Sequence, residues 1–171
     1  MAATWRATSG AVAYANGKSM LDVWNGAGTA TVVRVYRGYW FNNGTAAVTG
    51  VVTTAQVTRI TAASAGTTVT PVKHDTNSSA LDANNTCGTG RTVTASDIFR
   101  RFLYINEEPV VAGVTQANWL TLVPFAEVWN AGYGDSNIEP LTCRASQGVQ
   151  LLHSGSSAVG TADLELEFTS T

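Results

Sequence analysis

Charge is what this chain has least of. Only 13% of its 171 residues are Asp, Glu, Lys or Arg, about half of the roughly 25% usual in soluble domains. Just two are lysines, Lys18 and Lys73. Ten basic and twelve acidic residues leave a net charge of −2, which excludes the clustered positive footprint that DNA or RNA binding needs. A surface so thin in charge points to a body that spends much of its area against other protein, hence an oligomer or an assembly component. Runs of about 20 apolar residues, the length that spans a bilayer, are missing. The start Met1-Ala2-Ala3-Thr4-Trp5-Arg6 lacks the basic region and apolar stretch of a secretory signal, so synthesis in a cytoplasm is expected. The two cysteines, Cys87 and Cys143, are close enough in number to a pair to form one disulfide, but a cytoplasmic setting favours two free thiols.

Catalytic and metal-ligating patterns are equally sparse. The histidines are His74 and His153; His74-Asp75 are adjacent, which on a strand turns them to opposite faces, and there is no Gly-x-Ser-x-Gly elbow. Both histidines read as loop or surface residues. Neither cysteine has a basic or histidine neighbour to activate it, and His and Cys are too scattered for zinc. Asp135-Ser136-Asn137 with Glu139 offers oxygens, but not the spaced series of a calcium loop; closing a turn accounts for the same residues. Glycoside cleavage needs two opposed carboxylates. The available pairs are Glu107-Glu108 and Glu165/Glu167, and charges on a terminal strand such as the latter more simply keep a sheet edge from pairing with another chain. Gly88-Thr89-Gly90-Arg91-Thr92 lacks the Gly-Lys-Ser/Thr core of a phosphate loop. Asn43, Asn77 and Asn84 fit the glycosylation pattern, which is incidental without secretion. No catalytic, cofactor or metal residues are assigned.

What is abundant is β-forming residue types, including 24 threonines. One phrase occurs twice, Leu21-Asp22-Val23-Trp24-Asn25-Gly26-Ala27-Gly28 and Ala126-Glu127-Val128-Trp129-Asn130-Ala131-Gly132-Tyr133-Gly134. Each is an apolar run stopped by Asn and Gly, the signature of a strand entering a tight turn. Two indoles in such runs are expected to share one core.

Strands are expected over 20–24, 29–36, 39–41, 46–52, 55–62, 91–95, 98–105, 119–123, 125–129, 148–153 and 162–168, with a turn at Asn42-Asn43-Gly44 closing a hairpin. In the last strand Leu164, Leu166 and Phe168 alternate with Asp163, Glu165 and Glu167, a half-buried pattern. Residues 76–91 read as the longest loop, of a length that is usually functional or in contact with a neighbour. Residues 1–18 read as an N-terminal arm or edge strand, and 19–171 as one all-β domain, a jelly-roll-like β-sandwich. The candidate interface residues are the aromatics Tyr39, Trp40, Phe41 and Tyr133, the arginines Arg100 and Arg101, and Asp135 and Asn137. The aromatics also have the character of a sugar-stacking site.

Several stretches carry a family resemblance: Val48-Thr49-Gly50-Val51-Val52 through Thr70-Pro71-Val72-Lys73-His74-Asp75, Arg100-Arg101-Phe102 with Asn106-Glu107-Glu108-Pro109, and above all Val128-Trp129-Asn130-Ala131-Gly132-Tyr133-Gly134-Asp135-Ser136-Asn137-Ile138-Glu139-Pro140. Together, over much of residues 20–168, they resemble the capsid decoration, or cement, proteins of tailed bacteriophages, which have jelly-roll folds. The resemblance implies a homotrimer on the outer virion surface, bound to the major capsid protein and in reach of other virion proteins, with no enzymatic activity. The alternative expectation is a receptor- or glycan-binding head-fibre or tail-tip protein.

Overall fold

The structure, a computed structural model, describes residues 3–42, 51–106, 125–131, 138–155 and 161–171. Thirteen strands occur among them and no helix: β1 (Ala3–Thr8), β2 (Val12–Ala13), β3 (Ser19–Asn25), β4 (Val33–Asn42), β5 (Val51–Ser64), β6 (Thr67–Val69), β7 (Val72–Lys73), β8 (Asn85–Thr89), β9 (Thr92–Asn106), β10 (Phe125–Asn130), β11 (Leu141–Cys143), β12 (Gln147–Gly155) and β13 (Thr161–Ser170). They form two antiparallel sheets. Sheet one runs β10-β4-β13-β1-β7, with β11 also on β4 and β2 on β13; sheet two runs β6-β8-β3-β12-β5-β9.

The eight long-range partners nest. β1 pairs β13, β3 pairs β12, β4 pairs β10 and β5 pairs β9, and successive pairs fall in alternate sheets. That is one long hairpin rolled up, closed by β13 against β4 and β12 against β5. The roll is the jelly-roll form of the β-sandwich.

Alternation decides what the roll hides. In β13, Leu164, Leu166 and Phe168 are fully buried while Asp163 and Glu165 point outward. In β4 the same face holds Val33, Val35 and Trp40, all fully buried. Gly38 lies in this row because a Cβ there would press on Leu166 and Val128, each 3.2 Å away. Sheet two answers with Leu21, Val23, Val57, Val149 and Leu151.

The connection between β5 and β9 carries an insertion. Its β8 joins β3, its β6 joins β8, and its β7 crosses to pair with β1. The insertion therefore spans both sheets on the β1/β3 side. On the opposite side, β9 and β10 end their sheets.

Several expectations are corrected. Of the two expectations for the first 18 residues, arm or edge strand, residues 3–8 form a strand: β1 pairs with β13 over its whole length, buries Trp5 and Ala7, and has only the two-residue β7 beyond it. The expected loop 76–91 holds β8, because Asn85–Thr89 finds a partner in β3. Of the expected strand 46–52 only residues 51 and 52 fall within the described residues, and they run on with 55–62 in β5; 91–95 and 98–105 are joined in β9, and bulges in the β5–β9 ladder accommodate the imperfect alternation. Among the described residues β4 and β5 lie in opposite sheets and do not pair with each other. The expected turn at Asn42-Asn43-Gly44 and the strand 119–123 extend outside the described residues.

The repeated phrase is also turned over. Its valines, Val23 and Val128, enter the core, whereas Trp24 and Trp129 are half-buried. Trp24 lies on the outer face of sheet two, opposite in parity to Val23. Trp129 packs on the core's rim and donates its indole N–H to the Val35 carbonyl at 3.3 Å. Trp40 is the fully buried indole instead. In urea unfolding, Trp40→Ala is expected to cost about 3–5 kcal/mol, and Trp24→Ala less than half of that; equal costs would place Trp24 in the core.

Candidate functional site

Three charged arrangements organise the molecule. The first is interior. Arg91 lies across the outer face of sheet two and donates to Asp22 Oδ1 at 3.0 Å, to the Cys87 carbonyl at 3.0 Å and to Thr86 Oγ1 at 3.1 Å. Ser19 donates its hydroxyl to Asp22 Oδ2, also at 3.0 Å. Gly88 makes this possible, since a Cβ there would collide with the guanidinium, and Gly66, at φ +79°, clears the Arg91 stem in the same way. The Gly88-to-Arg91 stretch that superficially resembled a phosphate loop is thus a channel for its own arginine. Nothing in the sequence spacing pairs Asp22 with Arg91, which meet only because β8 lies on β3.

Asp22 is fully buried. Burial pushes its carboxyl up to about 6, against the opposing pull of Arg91 and Ser19. Both cysteines are free and buried; burial raises the thiol of Cys143 to about 12 and that of Cys87 still further.

The second arrangement lies on the outer face of sheet one. Glu167 accepts from Arg6, and lies 3.5 Å from Arg37 and 3.9 Å from His74 Nε2. Glu165 lies 3.6 Å from Arg6. These glutamates do not guard a sheet edge, the role their place on a terminal strand suggests. Instead β13 is central, flanked by β4 and β1, and the carboxylates bind arginines of both neighbours. His74 is partly exposed at this network. His153, read as a loop or surface residue, is fully buried in β12, its ring 5.2 Å from that of Tyr14.

Beside this network, Tyr39 and Phe41 share the outward face of β4, with ring centroids 6.1 Å apart. Tyr39 is opposite Glu127 on one side and Glu165 on the other, and Phe41 is opposite Asp163. Trp40 turns the other way into the core, so it is not a surface contact.

The third arrangement is the β9/β10 side. Arg59 stacks over Phe99 at 5.0 Å, lies 3.4 Å from Asp97 and donates to the Thr142 carbonyl at 3.0 Å. The Phe99 ring is 6.4 Å from that of Trp129, joining the rims of the two sheets. Arg100 and Arg101 follow on β9, opposite Val57 and Gln56, so they leave the strand on opposite faces; both are exposed. Among the described residues neither makes an ion pair. Tyr133, Asp135 and Asn137 lie outside the described residues.

Among the described residues no group of three or more His, Cys, Asp or Glu is placed to hold a metal, and no helix is long and apolar enough to cross a membrane. The sequence matches no family model, and no curated protein or solved structure is significantly similar to it. What fold and surface define is a jelly-roll β-sandwich with one side covered by an insertion and the other presenting aromatic, acidic and basic groups.

Asp22 sets a pH dependence. Its folded-state carboxyl holds a proton more tightly than that of the unfolded chain, so between about pH 4 and 6 the folded state binds more protons. This group therefore lowers stability as pH rises through that window and adds no further change above it. Melting curves from pH 4 to 7 are expected to lose this component in Asp22→Asn; an unchanged slope in the variant would place the effect elsewhere.

Proposed function

We propose that this chain is a non-enzymatic virion structural protein, a capsid decoration or cement protein of a tailed bacteriophage. It binds the outer lattice of major capsid protein as a trimer and stabilises the head. The observation that carries this reading is the asymmetry of the sandwich. The insertion occupies the β1/β3 side, while the β9/β10 side leaves Arg100 and Arg101 exposed at a sheet edge. Such a body suits lateral contacts with its own kind and with a lattice. The low charge content, the jelly-roll fold and the resemblance of residues 128–140 to such proteins support it further.

The groups that an enzyme would use have structural partners here. Glu165 and Glu167 neutralise arginines of adjacent strands, and His153 is core. Contacts of standard size would bury roughly 800 Å² per partner, and modest gains per copy multiply over a shell.

The second reading, a receptor- or glycan-binding tip, is favoured by the outward Tyr39/Phe41 pair amid carboxylates. Stacking on a sugar face needs such aromatics, and here they are Tyr39 and Phe41 rather than Trp40.

Purified protein added to phage shells assembled without it is expected to rebind and to raise the shell melting temperature by several degrees. Protein that leaves shells unchanged but binds a glycan array, with loss in Tyr39→Ala, would replace this reading with the second.

A further inference from the structure

Asp22 is fully buried although it faces outward from sheet two, and the insertion, residues 65–91, supplies cover for it. β8 lays Gly88 directly beside it, and Arg91 reaches back over Gly88 to its carboxyl. A Cβ at Gly66 or Gly88 would collide with Arg91, so this approach depends on both glycines. Seating the insertion therefore strips water from a carboxylate, a cost that the unseated chain does not carry.

The neighbour of Asp22 on its other side is Gln150 of β12, its cross-strand partner in register and also fully buried. Gln150 donates its amide N–H to Thr58 Oγ1 at 2.8 Å, and its Oε1 is buried with no hydrogen-bond partner among the described residues. A carboxylate has no hydrogen to offer that oxygen. A carboxylic acid has one, and giving it to Oε1 favours the neutral form of Asp22.

The other charged and titratable groups on the surrounding elements are turned elsewhere. Lys18, just before β3, donates to Thr92 Oγ1 at 3.1 Å; Arg59 of β5 stacks on Phe99; His153 of β12 lies in the core against Tyr14. In the insertion, Lys73 donates to the Ser78 carbonyl, His74 faces Glu167, Asp75 accepts from the Asn77 N–H and Asp82 accepts from Thr29. β6 has no ionisable side chain, and the thiol of Cys87 in β8 is held neutral by burial.

We infer that the insertion is a proton-governed flap: it seats most tightly over Asp22 when that carboxyl carries a proton donated to Gln150, and it lifts more readily from β3 once the proton is lost. Burial outweighs the pull of Arg91 on the carboxyl, so the seated state gains as the pH falls and loses as the pH rises to about 6. In the lifted state Asp22 meets water and holds its proton no more tightly than an ordinary carboxyl. The flap stands apart from the decoration reading, since it needs no partner.

Two buried free thiols test it, because Cys87 lies in β8, inside the flap, and Cys143 lies in β11, outside it. With a pyridyl disulfide reagent, the modification rate of Cys87 divided by that of Cys143 cancels the chemistry common to both thiols and reads lifting of the flap. Between about pH 4.5 and 7 this ratio is expected to rise about tenfold in the wild-type chain and to stay level in Asp22→Asn. In Gln150→Met, which takes away the acceptor of the proton, the rise is expected to begin about one pH unit lower. His74→Gln, which alters another contact of the insertion with sheet one, is expected to leave the rise in place. Melting temperatures check that each variant is folded, and Gln150→Met carries the test if Asp22→Asn is not. A level ratio in the wild-type chain, a rise that persists in folded Asp22→Asn, a Gln150→Met curve that follows wild type, or a rise abolished by His74→Gln would overturn the flap.

Discussion

The structure depends on pairing β13 with β1 and β4 at once. Residues at the two ends of the sequence meet here, Arg6 and Glu167 being 161 positions apart, so sheet one exists only when the whole roll has closed. Everything inward-facing follows from that register. Leu164 and Leu166 meet Trp40 and the gap left at Gly38, and a slip of one residue would turn Asp163, Glu165 and Glu167 into the core. The outward carboxylates reinforce the same register from the other face, because Glu167 reaches arginines on both neighbouring strands only in this alignment. Apolar burial and ion pairing thus select one arrangement. Such dominance of distant contacts predicts slow folding relative to a helical domain of similar size.

A second constraint holds the insertion in place. β8 extends sheet two beyond β3, and Arg91, immediately after it, reaches back to Asp22. Burying a carboxylate costs several kcal/mol unless it is paired and hydrogen-bonded, and Asp22 has both a guanidinium and a hydroxyl. The raised carboxyl pKa says that these do not fully offset burial. The pair is better understood as fixing where the insertion sits than as a source of stability. Asn85 works alongside it, donating to Ser170 Oγ at 2.6 Å and to Thr31 Oγ1 at 3.2 Å, which ties the insertion to both sheets.

How much of this is legible in the sequence differs by element. β13 reads directly, since its alternation of leucine with acid has one interpretation, and the jelly-roll class follows from many strands without a helix. The role of those acids does not read directly, because whether a strand is central or edge depends on partners remote in sequence. The same reason hides β8: Asn85-Thr86-Cys87-Gly88-Thr89 has weak propensity and becomes a strand through β3. The repeated phrase marks two real strand ends in opposite sheets, but composition cannot decide which of two adjacent apolar residues faces inward. The valines do, while Trp129 packs on the core's rim and Trp24 lies on the outer face of sheet two. Of the proposed interface, Tyr39, Phe41, Arg100 and Arg101 keep the outward placement that their residue types suggested, while Trp40 loses it to parity.

The scarcity of charge acquires a meaning from where the charges go. Asp22 and Arg91 are consumed inside, Arg59 and Asp97 at the corner, and Arg6, Arg37 and Glu167 across sheet one. Those pairs neutralise one another locally, while Lys18, Asp75, Arg100, Arg101, Glu139 and Arg144 stay exposed. A small number of charges committed to particular strand partners fixes register and the seat of the insertion, and the folding free energy itself comes mainly from the uncharged core that those registers bring together.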